Sequence, residues 1–145
     1  MKNENKTYEY FDVTADIGIC AYGKTIEKSF QNAALATFEI ITDIKDVKPK
    51  LEKQIKIQSE DLQALLYDWI TELIILLEAE QFISKEYILK ITKVDKGYEL
   101  EATLNGELYD TMIHSYKTEV KAITYHKMEI KKDGCGYKLQ FILDL

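Results

Sequence analysis

The apolar residues change their spacing along the chain, and this change constrains the fold more than any other feature of the sequence. Between Thr25 and Ile41 they recur every three or four residues, which predicts a helix with one apolar face. A second such stretch follows Ser59, the expected N-cap, and its apolar stripe is wide enough to be buried on two sides or to contact a partner. Much of the remaining chain alternates apolar and polar residues, as half-buried strands do. The sequence therefore predicts an α+β fold of two helices packed on a largely antiparallel sheet.

Turn residues divide the second half of the chain into expected hairpins. Asp95-Lys96-Gly97 separates two alternating segments, and Asn105-Gly106 has the composition of a type I′ turn. Lys132-Asp133-Gly134 joins an expected strand over residues 120–131 to a last strand over residues 137–144. The pattern predicts antiparallel pairing throughout this half.

The composition is that of one globular domain. The 145 residues include a single proline, Pro49, and no Gly/Ser-rich or Pro-rich run that would form a linker. We therefore expect one domain over residues 1–145, with the polar residues 1–6 frayed at the terminus. The net charge of −6 disfavours direct binding to a phosphate backbone as the main activity.

No stretch of the sequence is typical of a signal peptide or a membrane span. The longest apolar-rich stretch, Leu62 to Ala79, carries Asp68, Glu72 and Glu78, which are too many charges for a span. Cys20 and Cys135 lack the spacing of a metal site, and two buried thiols are favoured over one disulfide. The expected location is the cytoplasm.

Two aspartates are candidates for a metal site. Asp16 stands at the entrance of an expected strand, where an aspartate is usually a turn residue. Asp144 ends the last expected strand, beside Leu145 and its terminal carboxylate, and a solvated aspartate is the ordinary interpretation there. If the two meet, their carboxylates and the oxygens of Leu145 form an all-oxygen site for a hard divalent cation. Spacing alone does not show that they meet.

The histidines and one lysine are the other candidates. Neither His114 nor His126 lies near a cysteine at zinc-site spacing, so a zinc site is not expected. His126 shares a strand face with Val120 and Met128, and we expect it to be a hydrogen-bonded core histidine. Lys121 lies on the opposite series, either as a surface lysine or paired with a carboxylate or phosphate. The sequence has no nucleophile elbow and no phosphate-binding or dinucleotide-binding glycine motif.

Several groups of residues, in one order along the whole chain, resemble the signature segments of the archease family. They are Thr14-Ala15-Asp16-Ile17-Gly18-Ile19 with Ala21-Tyr22-Gly23, Asn32-Ala33-Ala34, Ser59-Glu60-Asp61-Leu62 with Leu65-Leu66-Tyr67-Asp68-Trp69, Gly106-Glu107, His114, Glu119-Val120-Lys121-Ala122-Ile123-Thr124-Tyr125-His126 and Leu143-Asp144-Leu145. One departure is Val13, which stands where the family usually has a histidine before Thr-Ala-Asp. If that histidine contributes to the site, weaker or different metal binding is expected here.

The resemblance implies a protein cofactor and not a stand-alone enzyme, with no catalytic residue of its own. Such proteins assist the RtcB-type RNA ligase of tRNA splicing and RNA repair, promoting its guanylylation and multiple turnover. By the same resemblance, Asp16, Asp144 and Leu145 would hold a divalent metal, with calcium as the first candidate and magnesium or manganese as alternatives. Lys121 matches a functional lysine of the family, as a contact to the partner or to phosphate. RNA would be contacted only indirectly, through the ligase.

Two other functions stay open from the residues alone. A stand-alone metal-dependent phosphohydrolase would need more metal ligands, or an activated nucleophile, than the sequence shows. A chaperone or scaffold would bind through the apolar face of the second helix.

Overall fold

The computed structural model describes residues 7–145. They form two antiparallel sheets and two α-helices. In chain order the elements are β1 (Tyr8–Val13), β2 (Asp16–Gly23), α1 (Ile26–Ile41), a short 3-10 helix (Ile44–Asp46), β3 (Leu51–Ser59), α2 (Leu62–Glu80), β4 (Phe82–Val94), β5 (Gly97–Leu108), β6 (Ala122–Asp133) and β7 (Gly136–Asp144). The predicted α+β class is confirmed, with the strands divided between two sheets. The frayed terminus predicted for residues 1–6 lies outside the described residues.

The two sheets share one core. The larger has the strand order β1-β2-β7-β6, and the smaller has the order β3-β5-β4. Helix α1 packs on β2 and β7 and also reaches β4, while α2 contacts β6 and all three strands of the smaller sheet. The largest fully buried side chains come from both helices and both sheets: Trp69, Phe30, Phe38, Phe82, Phe141, Ile19, Leu65, Leu66, Ile70, Leu73, Ile83 and Leu100. The Trp69 indole N–H donates to the carbonyl of Phe30 at 3.0 Å, which ties the two helices together.

The helices begin differently from one another. Thr25 caps α1 as predicted, because its hydroxyl accepts from the amide of Lys28 at 3.1 Å. The prediction that Ser59 caps α2 is wrong. Strand β3 continues through Ser59, and the cap is Asp61, whose carboxylate accepts from the amide of Ala64 at 2.8 Å.

The turn predicted at Asn105-Gly106 is also wrong, because both residues lie inside β5. Gly106 pairs with Leu51 of β3, and Asn105 pairs with the next residue of that strand. A Cβ on Gly106 would overlap the carbonyl oxygen of Ile83, so the glycine serves close strand packing and not a turn. The hairpin predicted at Asp95-Lys96-Gly97 is confirmed, with Gly97 at a φ of 144°.

The two cysteines differ in their burial. Cys20 is buried on β2, whereas Cys135 is exposed in the turn before β7, so the expectation of two buried thiols is wrong for Cys135. The two cysteines are thiols and not a disulfide.

Within residues 7–145, no helix combines the length and the apolar character that crossing a membrane requires.

Candidate functional site

Asp16 and Asp144 meet at one end of the larger sheet. They are direct cross-strand partners in the antiparallel pairing of β2 with β7. Val13 lies opposite Asp16 on one side, and Ala122 lies opposite Asp144 on the other, so the four residues form a row across the sheet. Side chains directly opposite each other point to the same face, with Cβ atoms about 4.5–5.5 Å apart. The structure thus brings together two carboxylates that are 128 residues apart in sequence.

This row faces away from the helices. The neighbouring row contains Ile17, Leu143 and Ile123, which pack in the core on the opposite face. Asp16 is therefore half-buried at the sheet end, and Asp144 is exposed.

The turn between β1 and β2 places Asp16 at the sheet end. Only Thr14 and Ala15 separate the paired residues Val13 and Asp16. Ala15 adopts a left-handed conformation with a φ of 65°, which costs a non-glycine residue about 1–2 kcal/mol. Strained backbone of this kind occurs often at functional sites, and the turn that contains it sets the start of β2 at the row of carboxylates.

The outer face behind the carboxylates is apolar. Phe11 pairs with Gly18, which in turn pairs with Ile142. A Cβ on Gly18 would overlap the ring of Phe11, so the missing side chain lets this ring lie over the sheet. Ile142 is only 2% exposed although it lies on the outer face. Asp16 therefore borders an apolar part of the outer face that includes Phe11 and Ile142.

Leu145 bends back to the same place. Its backbone N–H donates to Oδ1 of Asp16 at 3.4 Å, and its side chain packs against the core. The backbone of Leu145 is consequently in contact with the Asp16 carboxylate. Two carboxylates and a main-chain oxygen are the donor types that hard divalent cations take.

The electrostatics of the pair are unbalanced. Like charges directly opposite in a sheet repel each other, and in the described part of the chain neither Asp16 nor Asp144 has an ion-pair partner. No group of three or more His, Cys, Asp or Glu side chains placed to hold a metal occurs within residues 7–145. The donor set fits a hard cation that completes its shell with water or phosphate oxygens, and it does not fit a closed all-side-chain site.

Known proteins resemble this chain in sequence and in fold. The model of the archease protein family (MTH1598/TM1083) matches residues 8–145. The chain belongs to the archease family. It is 38% identical over 146 residues to protein archease from Methanosarcina mazei, with 100% of both chains covered. It is 43% identical over 140 residues to protein archease from Methanothermobacter thermautotrophicus, covering 97% of this chain and 99% of that one.

A solved structure also matches. The solution structure of Methanobacterium thermoautotrophicum protein 1598 superposes with a TM-score of 0.83 at 41% sequence identity. The match covers 96% of this chain and 99% of the other. The archease resemblance read from the sequence is confirmed over nearly the whole chain.

Lys121 adjoins the candidate site through its backbone. Its N–H donates to the carbonyl of Asp144 at 2.8 Å, immediately before β6 begins. Its side chain is exposed. The structure thus fixes the backbone of Lys121 at the site, and a role for its ammonium group stays a prediction.

His126 is not the core histidine that the sequence pattern predicts. Between Thr124 and Glu129 the pairing of β6 with β7 is interrupted, so residues 125–128 stand opposite Phe141 alone. Lys127 has a φ of 56°, and the regular alternation of β6 is lost at this bulge. As a result His126 is exposed.

The buried histidine is His114, which is 3% exposed. Its Nδ1 accepts from the backbone N–H of Asp110 at 2.9 Å, so Nε2 carries the proton and donates to Oε1 of Glu107 at 2.7 Å. Glu107 also accepts from the amide of Lys48 at 3.2 Å. Periodicity gave no sign of this pair; the only signal in the sequence was that both residues belong to segments that resemble the family.

The Glu107–His114 pair anchors the segment that leads to the site. Burial raises the pKa of Glu107, but hydrogen bonds from His114 and Lys48 outweigh it and hold this pKa below its usual value. The segment from residue 109 to Lys121 has no regular secondary structure apart from a turn, and it is fixed by these contacts and by the bond from the amide of Lys117 to the carbonyl of Ile41.

Proposed function

We propose that this chain is an accessory protein of an RtcB-type RNA ligase, promoting the ligase's guanylylation and multiple turnover in tRNA splicing and RNA repair. Membership of the archease family supports a protein-cofactor role in tRNA processing in general. The observation that carries the finer proposal is the register of Asp16 with Asp144, which puts two carboxylates at the exposed end of a scaffold. A cytoplasmic location goes with this proposal.

The carboxylates of Asp16 and Asp144 and a main-chain oxygen of Leu145 would hold the divalent metal. Calcium is the first candidate because all of these donors are oxygens, and magnesium or manganese are alternatives. A bound cation supplies positive charge that can offset the charge of phosphate oxygens. The protein's own part is to hold the two carboxylates together at a sheet end that can approach the nucleotide pocket of a partner.

The charge of the chain supports a protein partner with a basic surface. At a net charge of −6, the protein is attracted to the positive mouth of an RNA-binding enzyme and is repelled by RNA itself. Contact with RNA through the ligase, and not directly, follows from this balance. Lys121 beside the site would contact the partner or a phosphate.

The test is single-turnover transfer of GMP to the cognate ligase, with and without this protein. We expect the wild type to accelerate the transfer, and D16N and D144N to fold normally but to give little or no acceleration. The matched control is D133N, because Asp133 is an exposed aspartate that pairs with Gly136 at the opposite end of β7 from Asp144. Acceleration by both site variants at the wild-type level would sink the proposal.

The two alternative functions differ from the main proposal in what they require. A stand-alone phosphohydrolase would turn over phosphate esters with divalent metal and without any ligase. A scaffold acting through the apolar stripe of α2 lacks the surface it needs, because six residues of that stripe are buried in the core: Leu65, Leu66, Trp69, Ile70, Leu73 and Ile74. The wide stripe is explained by contacts with both sheets.

A further inference from the structure

A stacked pair of tyrosines lies outside the carboxylate site, where α2 meets the bulge of β6. The rings of Tyr67 on α2 and Tyr125 on β6 are parallel within 6°, with centroids 4.5 Å apart. Tyr125 is nevertheless 54% exposed. Because one face of its ring is against Tyr67, the opposite face is the part that solvent reaches.

Three carboxylates at or near the start of α2 act on this pair. Asp61 is held as the N-cap of the helix, and Asp68 accepts from the hydroxyl of Ser59 at 2.6 Å. Burial raises the pKa of Tyr125, and the charges of Asp68, Asp61 and Glu60 raise it further. The charged side chains that act most on this ring are therefore all acidic.

An exposed aromatic face beside several carboxylates suits a cation better than any other ligand. The face of a tyrosine ring carries negative charge density, and a guanidinium or ammonium group over it gains a cation–π contact. The negative charge of the carboxylates also attracts such a cation. We infer that the surface formed by Tyr125, Tyr67, Glu60, Asp61 and Asp68, here called the Tyr125 surface, docks an arginine- or lysine-bearing segment of a protein partner.

Two other occupants fit less well. RNA would bring phosphates towards three carboxylates, which repel it. A second copy of this chain carries a net charge of −6, so two copies repel each other in the same way. Charge complementarity thus selects a basic protein segment.

The position of the Tyr125 surface links it to the carboxylate site. Ala122, which pairs with Asp144, precedes Tyr125 by three residues on the edge strand β6. Three residues of strand span about 10 Å, less than the width of an ordinary protein interface. Tyr125 lies on the helix side of the sheet and the carboxylates lie on the opposite face, so a partner that contacts both passes over the edge strand β6. This inference rests on the proposed function in one respect, namely that the basic partner is the ligase that Asp16 and Asp144 serve.

The test is the Kd of the purified cognate ligase for the full chain, measured by fluorescence anisotropy at low and at high salt. We expect Y125L to bind about three- to thirtyfold more weakly than wild type, while Y125F, which keeps the ring face, binds like wild type. D68N combined with E60Q should weaken binding at low salt and flatten the salt dependence. The matched control is Y116L, because Tyr116 is also exposed (63%) but lies in the segment between β5 and β6, outside the stacked pair.

Guanylylation at saturating protein separates this inference from the proposed function. Y125L should reach the wild-type plateau at a higher concentration, whereas D16N should lose the plateau. Wild-type binding of the ligase without any stimulation would defeat the proposed function and leave the Tyr125 surface standing. Wild-type affinity of Y125L, with its fold verified by circular dichroism, would overturn the docking inference alone.

Discussion

The imidazole of His114 donates to the carboxylate of Glu107 at 2.7 Å, and both side chains are almost fully buried. The pair joins the end of β5 to the irregular segment that leads to Lys121, and Lys121 binds the carbonyl of Asp144. Removing one partner would leave a buried polar group unsatisfied. The pair therefore stabilises the segment that connects the smaller sheet to the candidate site.

E107Q should lower the free energy of unfolding by about 1–3 kcal/mol at neutral pH, because it replaces a charged acceptor in a buried network. The pKa of Glu107 is lowered in the folded state from an ordinary value of 4.5. Its contribution to stability is thus fully present above about pH 4.5 and is lost as pH falls through the lower, folded pKa. Urea unfolding at several pH values should show the difference between wild type and E107Q shrinking towards acid pH. A difference that stays constant from pH 7 to the acid limit would contradict this account.

G106A should destabilise the protein by about 1–3 kcal/mol or more, because its Cβ would overlap the backbone carbonyl of Ile83 on the neighbouring strand. G134A is the matched control: a Cβ there meets no atom within 4 Å, so stability should change little. Thermal unfolding of both variants checks the prediction. Equal melting temperatures for G106A and wild type would show that the strands can separate without cost.

The wrong turn prediction at Asn105-Gly106 shows a limit of local sequence patterns. They predict helices and strands better than they predict which strands pair with each other. Asn-Gly is a turn signal where the chain is free to turn, but here both residues are paired on both sides by β3 and β4. Close approach of strands also selects glycine, and a sequence does not distinguish the two causes. The helical period of α1, in contrast, is a local property, and it predicted that helix and its Thr25 cap correctly.

The candidate site shows the same limit. Spacing made Asp16 a turn residue and Asp144 a solvated chain end, and only the pairing of β2 with β7 reveals that they face each other. His126 was misassigned because strand alternation was carried through a bulge that periodicity does not show. Contacts between residues far apart in sequence were indicated only by the resemblance to a family.

D16N and D144N should each be as stable as wild type in the absence of metal, or up to about 1 kcal/mol more stable, because each removes one of two opposed like charges. Calcium should raise the melting temperature of the wild type and have little effect on either variant. Differential scanning fluorimetry with EDTA and with millimolar calcium makes this measurement without any ligase. If calcium raised the melting temperature of the wild type and of both variants equally, the metal would not bind at this row of the sheet.

Val13 offers a change that should strengthen metal binding. Val13 lies directly opposite Asp16 on the face of the carboxylates, so a histidine there would point towards the same space. V13H adds an imidazole to an all-oxygen donor set, and imidazole favours transition metals over calcium. We therefore expect V13H to bind manganese at least about tenfold more tightly, equivalent to about 1.4 kcal/mol, with a smaller change for calcium.

D12H is the control, because successive residues of a strand point to opposite faces and Asp12 lies beyond the reach of the site. Equal manganese affinities for V13H and D12H, by isothermal titration calorimetry, would show that the register of β1 with β2 does not bring position 13 to the metal.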